Sequence, residues 1–140
     1  MRVVLDTSVV VSGFRSQDGA ANAILQCVFA GKLQLLASPP LFLEYEAVLL
    51  RPEHMAVHGF SVEQIEIFLT ESAVLVIPVR IHFQWKPQLT DPSDELVLET
   101  AINGQTDAIV THNVKHFSAA SIRFGFDVLR PHEALRRIRS

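Results

Sequence analysis

Cys27 is the only cysteine in the 140 residues, so an intrachain disulfide and a cysteine-rich zinc site are both excluded, and a reducing, cytoplasmic setting is expected. The chain also lacks a long hydrophobic run. Met1-Arg2-Val3-Val4-Leu5 opens apolar, but Asp6-Thr7-Ser8 interrupts it before a signal-peptide core or a membrane span is complete. A basic excess is missing too: Lys and Arg total 12 against 15 Asp and Glu, a formal charge of −3. Nucleic acid would therefore need a local basic patch or a bound cation. The sequence carries no Gly-rich phosphate loop, GxSxG elbow, CxxC pair or HExxH base, no internal repeat and no low-complexity stretch.

What is present is one domain's worth of chain, 1–140, with 49% hydrophobic residues, enough for a substantial core. Short apolar strands at Val3–Leu5, Leu33–Ala37, Val74–Ile77, Ala108–Thr111 and Phe126–Leu129 alternate with helical patterns. Helices are expected from Ala20 to Ala30, from about Pro39 to Leu50, and after the Ser61–Gln64 capping box through Thr70. Others should run from Asp94 to Asn103-Gly104 and from Pro131 to the basic turn Arg136-Arg137-Ile138-Arg139. Residues Arg80 to Thr90 read as a loop. This alternation predicts an α/β protein, a three-layer α/β/α sandwich with a mainly parallel central sheet. Ligands of such sheets bind beyond the C-terminal strand ends, where Asp6, Ser38 and the segment Thr111 to Asn113 fall.

Asp6 could be a turn or helix-cap aspartate, or a site acid beside the hydroxyls of Thr7 and Ser8. In the Asp94 helix, steps of about 100° place Asp94 on the apolar stripe with Leu98 and Ala101. A carboxylate there demands a partner. Asp91 can cap the same helix or serve a metal. Glu44 and Glu46 lie in a helix that is apolar nearly all round, and periodicity does not choose between them. Carboxylates gathered from separate segments repel one another unless a cation lies between them. Mg²⁺ or Mn²⁺ suits such oxygen donors, and can polarise a phosphate and lower the pKa of a bound water without a histidine base or covalent nucleophile.

Four ordered motifs then stand out: Val3-Val4-Leu5-Asp6-Thr7-Ser8, Ser38-Pro39 with Glu44-Tyr45 and Leu50-Arg51-Pro52, Asp91-Pro92-Ser93-Asp94-Glu95 leading to Ala101, and Thr106 to Thr111 before Asn113. On these the chain resembles the PIN (PilT N-terminus) domain family, and within it the toxin components of toxin-antitoxin pairs related to VapC-type ribonucleases. The resemblance implies that Asp6, Glu44 and Asp94 are the principal acids at a metal, with Asp91 auxiliary, and so selects Glu44 over Glu46. It implies that Thr7, Ser8 and Thr111 hydrogen-bond acids, metal waters or phosphate, and that the activity is Mg²⁺-dependent hydrolysis of single-stranded RNA. Dimerisation and an inhibitory antitoxin are implied partners. Asn113 departs from the pattern, since many relatives carry an aspartate there; a neutral amide favours one well-held metal over two.

His112 and Lys115 adjoin this site and are candidates for phosphate contact, against a solvated loop. Asp107 precedes the fourth strand at the opposite end, which suits a turn or a partner contact. His54 with His58 and His112 with His116 have helical metal-pair spacing, but without cysteines or HExxH the default is surface histidine. The arginines of the C-terminal turn suit the helix dipole. Two other functions remain open: aspartyl phosphoryl transfer from Asp6, which wants an acid where Ser8 stands, and a non-catalytic RNA-binding or protein-interaction domain on the same fold.

Overall fold

Val3, Val4 and Leu5 have no accessible surface, as do Ala108, Ile109 and Val110, and these two runs lie side by side as the centre of a parallel sheet. A strand covered on both faces must be apolar throughout, which is why neither run alternates. In the computed structural model, which describes residues 1–82, 89 and 91–139, the sheet has five strands. They are β1 (Arg2–Leu5), β2 (Gln34–Ala37), β3 (Ile77–Pro78), β4 (Ala108–Val110) and β5 (Asp127–Leu129). The order is β3-β2-β1-β4-β5 and every pair is parallel.

Eight helices accompany them among the described residues: α1 (Thr7–Arg15), α2 (Ala20–Phe29), α3 (Pro39–Leu49), α4 (Pro52–His58), α5 (Val62–Leu75), α6 (Pro92–Gly104), α7 (Val114–Phe124) and α8 (Pro131–Arg139). From β1 the chain steps outward to β2 and then β3; it then crosses back to β4 and continues to β5. α1 packs on α2 and α3, α6 packs on α3, α7 and the central strands, and α8 packs on α2. The result is the expected α/β/α sandwich. Its topological switch lies between β1 and β4, so the crevice beyond their C-terminal ends is the place for a ligand.

Several boundaries depart from the sequence expectations. The stretch Val74–Ile77, expected as a strand, is split: α5 runs on through Leu75, and only Ile77-Pro78 pairs with Leu36-Ala37. The capping box at Ser61 and Gln64 starts this helix firmly, and buried Ile65, Leu69 and Ser72 hold it to the core. Val74 and Leu75 then face solvent in its last turn, so β propensity finds no sheet to reward it. Pro78 is tolerated because β3 is an edge strand. Three helices had no expectation, α1, α4 and α7. In α1 the β-branched run Val9-Val10-Val11 is helical because all three side chains are buried there, and packing overrides propensity. Of the loop expected over Arg80 to Thr90, residues 83–88 and 90 lie outside those described.

α6 ends at Asn103-Gly104, as expected. The left-handed C-cap is Gln105, with φ of 51°, and Gly104 is the last helical residue. Its missing Cβ has a packing reason: one placed there would lie 2.9 Å from both Leu36 Cδ2 and Val79 Cγ2. Among the described residues no helix is long and apolar enough to cross a membrane.

Candidate functional site

At the end of β1 the backbone N–H of Asp6 donates to the Val110 carbonyl at 2.9 Å, so the sheet ladder itself sets its position. Asp6 occupies the N-cap of α1, yet its carboxylate makes no cap hydrogen bond. Oδ2 instead accepts from Thr111 Oγ1 at 2.6 Å and from Ser8 Oγ at 2.9 Å, while the residue stays buried. Two hydroxyls held by one oxygen orient the carboxylate as an acceptor, and short O–H···O⁻ bonds are the strong kind. The Thr111 hydroxyl also accepts from the backbone N–H of Asn113 at 2.9 Å, locking the turn after β4.

Asp94 enters from the first turn of α6 and is buried beside Leu98 and Ala101, as its stripe position requires. Its partner is His116, on the first turn of α7, whose Nδ1 lies 2.9 Å from Oδ2. Burial pushes the Asp94 carboxyl above the ordinary carboxylate range; the hydrogen bond from His116 opposes this, and the neighbouring charges of Asp6 and Asp91 raise it further. Asp6 and Asp94 are thus close enough for their charges to interact, although 88 residues of sequence separate them.

Glu44 is half-buried on α3, and its Oε1 accepts from Ser93 Oγ at 2.8 Å, which ties it to the same turn of α6; Glu46 is exposed. Asp91 is the N-cap of α6 and takes the Ser93 N–H at 2.8 Å, so the capping role is realised. Tyr45, next to Glu44, donates its hydroxyl to the Leu5 carbonyl at 2.5 Å. Burial and the Asp6 charge raise this phenol far above its ordinary pKa, so it stays a neutral donor one residue from Asp6. Ser38 both caps α3 and bonds Thr100 Oγ1 at 2.8 Å, a buried strut between α3 and α6. Four segments thereby converge on the crevice: the end of β1, the end of β4, α3, and the start of α6.

The remaining candidates sit around this centre. Thr7 is buried, and its Oγ1 has no hydrogen-bond partner among the described residues. Asn113 is the exposed N-cap of α7 and makes no side-chain cap bond; Lys115 is exposed two residues on. His112 is exposed and joins Ser12 Oγ through Nε2 at 2.7 Å. Asp107 lies at the opposite end of the sheet, where its carboxylate takes the Arg2 N–H at 2.7 Å, a turn role. His58 is satisfied locally, with Nδ1 accepting from Phe60 N–H at 2.9 Å and Nε2 donating to the Leu49 carbonyl at 3.1 Å, which is not a metal pair with His54.

Sequence reasoning missed His116 as the Asp94 partner and Ser93 as the link to Glu44. The demand for a partner at Asp94 was legible; its source was not, because α7 had no helical expectation to place His116.

Residues 2–115 match the family model described as PIN domain. The chain belongs to the PIN domain family. Among solved structures, this PIN domain is similar to the crystal structure of VapBC2 from Rickettsia felis bound to a DNA fragment from their promoter, with 15% identity, a TM-score of 0.58, and coverage of 93% of this chain and 98% of the other. At that identity the likeness concerns the fold. No curated protein sequence matches significantly. The family matches the motif reading in extent, since the model spans β1 through the start of α7 and so every acid discussed above.

The divalent metal associated with PIN domains can be tested against the donors. Among the described residues no three Asp, Glu, His or Cys side chains converge as a ready-made cage. Mg²⁺ does not need one, because it keeps several waters and takes one or two carboxylates plus substrate phosphate. Two buried carboxylates, Asp6 and Asp94, have the oxygen chemistry such an ion takes and a mutual repulsion it would relieve. The donor set fits.

Proposed function

We propose that this PIN domain is a Mg²⁺- or Mn²⁺-dependent endoribonuclease that hydrolyses phosphodiester bonds of single-stranded RNA. The observation that carries the reading is the approach of Asp6 and Asp94 at the switch crevice, where burial and charge hold Asp94 above the ordinary carboxylate range. Asp6 and Asp94 would hold the ion, with Asp91 beside them, and Glu44 would act with them at the reacting phosphate. A bound divalent ion would supply Lewis acidity toward the phosphate and a more acidic water.

The chain's own groups do the rest. Thr111 and Ser8 fix the Asp6 carboxylate by donating to Oδ2. Ser93 holds Glu44 against the first turn of α6, and His116 holds Asp94. Thr7 and Asn113 support the rim, and His112 and Lys115 contact the RNA backbone from the α7 side. The likeness to a VapBC complex supports a toxin role with a cognate antitoxin; a cytoplasmic dimer completes the reading.

Cleavage of a labelled single-stranded RNA should require Mg²⁺ or Mn²⁺ and fail in Asp6→Asn and Asp94→Asn. Activity unchanged in chelator or in those variants refutes the assignment. Co-expression with a small neighbouring gene tests the toxin label separately, by relief of growth inhibition.

A non-catalytic RNA-binding domain is the second reading, favoured by the neutral amide at Asn113 and by the absence of a three-ligand group among the described residues. Calorimetry with Mn²⁺ separates the two, since only the nuclease needs the ion. Phosphoryl transfer through Asp6 is disfavoured, because Ser8 stands where that chemistry wants a second acid and its hydroxyl is spent on Asp6 Oδ2.

A further inference from the structure

Beside the acidic crevice lies a second cleft of about 260 Å³, lined by Ser12, Ser16, His112, Arg130 and His132, with Gly19 and the start of α2 at its back. Its chemistry is the reverse of its neighbour's. No carboxylate lines it, in a chain whose net charge is −3. Arg130 is exposed between β5 and α8, and its guanidinium makes no ion pair among the described residues; Glu133 is instead used at the Arg130 backbone N–H, at 2.9 Å. Gly19 caps α2 without a side-chain bond, so the free amides of that ten-residue helix's first turn are left for another acceptor. One permanent cation, two imidazoles and two hydroxyls around such a helix start make a set of donors for a phosphate.

A Ser–His nucleophile is the obvious competing use of the 2.7 Å contact between Ser12 and His112. The hydrogen bonds argue against it. The Ser12 hydroxyl has the Val9 carbonyl at 3.2 Å as a second acceptor, and when its proton goes there His112 Nε2 donates to Ser12 and is not poised as its base. No third group orients the imidazole among the described residues, which leaves its other nitrogen to face the cleft's ligand or solvent.

Position connects the cleft to the acids. Ser8, which donates to Asp6, and Ser12 lie about one turn apart on α1, roughly 6 Å along the helix. Thr111, the other donor to Asp6, is followed directly by His112. We infer that this cleft is a subsite for a backbone phosphate of the RNA strand, next to the phosphate held at the acidic centre; the identity of the ligand rests on the nuclease reading above. Arg130 and His132 lie beyond the residues matched by the family model. It reads no base, and it sets which stretch of backbone is drawn over Asp6 and Asp94.

The test is fluorescence anisotropy of the full chain with short labelled single-stranded RNAs of unrelated sequence, in chelator, across a salt series. Arg130→Gln should weaken every RNA alike and lower the slope of log affinity against log salt by about 0.7, the share of one phosphate on a single strand. Arg130→Lys should keep the slope, Arg130→Gln with His132→Gln should lose more, and Arg136→Gln, outside the cleft, should match wild type. Thermal melts confirm that the exposed substitutions leave folding intact. RNA binding unaltered in the double variant, with Mg²⁺-dependent cleavage intact, overturns the subsite and leaves the nuclease standing. RNA binding that falls with Arg130 in a chain that never cleaves overturns the nuclease and leaves the subsite. Inorganic phosphate that shifts the Ala20 and Ala21 amide resonances without any RNA binding marks an adventitious ion only, and overturns the proposal.

Discussion

Thr111→Val is the sharpest available perturbation of the acidic centre, because valine keeps the shape of threonine and removes only the hydroxyl. That hydroxyl has no accessible surface, donates to buried Asp6 Oδ2 at 2.6 Å, and accepts from Asn113 N–H at 2.9 Å. A hydrogen bond to a charged group is worth roughly 1.5–3 kcal/mol, and the stranded Asn113 N–H adds about 0.5–1 kcal/mol. The variant should therefore lose about 2–4 kcal/mol in urea unfolding, whereas Thr111→Ser, which keeps the oxygen, should lose roughly 1 kcal/mol from the missing methyl. A double-mutant cycle with Asp6→Ala isolates the pair and should return a coupling of about 1.5–3 kcal/mol. Under the nuclease reading, loss of a supporting hydrogen bond of this kind should also lower cleavage by about 10–100-fold. A coupling below about 0.5 kcal/mol would refute the claim that Thr111 positions Asp6.

Four further outcomes are expected. Since burial first, and then the charges of Asp6 and Asp91, raise the folded Asp94 pKa, the metal-free fold should lose stability as pH rises from the ordinary carboxylate pKa through the raised one. Asp94→Asn should flatten that decline in urea midpoints taken between pH 4 and 7, and an unchanged slope would show that Asp94 is not the group responsible. Tyr45→Phe deletes the buried bond to the Leu5 carbonyl and should cost about 1–2 kcal/mol, read as a lower melting temperature; no loss would mean water satisfies that carbonyl. Gln105→Gly relieves a left-handed C-cap and should stabilise by about 1 kcal/mol, whereas Gly104→Ala should destabilise because of Leu36 and Val79.

The acids differ in how readable they were. Asp6 and Asp94 were legible because each breaks a strong local pattern, one at the end of a buried strand and one on an apolar stripe. Glu44 was not legible from its own helix, since the pattern of α3 is apolar on nearly every side; the family resemblance selected it over Glu46, and in the fold its carboxylate takes the Ser93 hydroxyl of a helix far along the chain. The central strands were legible for the same reason as Asp6, being continuously apolar. The edge was less so: Val74 to Ile77 has strand composition but sits where α5 is still held by its own hydrogen bonds. Arg130 and His132 carried no local signal, because a cleft assembled from the starts of α2 and α8, the end of α1 and the turn after β4 exists only after the sheet has ordered them.

The direct rung between Asp6 and Val110, with Thr111 in turn bonded to the Leu129 carbonyl, divides the acidic centre into parts of unequal stiffness. Asp6 and Thr111 belong to the innermost ladder, and separating them means breaking the sheet. Asp94, Asp91 and Glu44 ride on the first turn of α6 and its side-chain links to α3 and α7. A ligand drawn between the two parts would thus be gripped by a fixed jaw and a hinged one, and amide exchange should be slowest at Asp6 and Thr111 and faster along the start of α6.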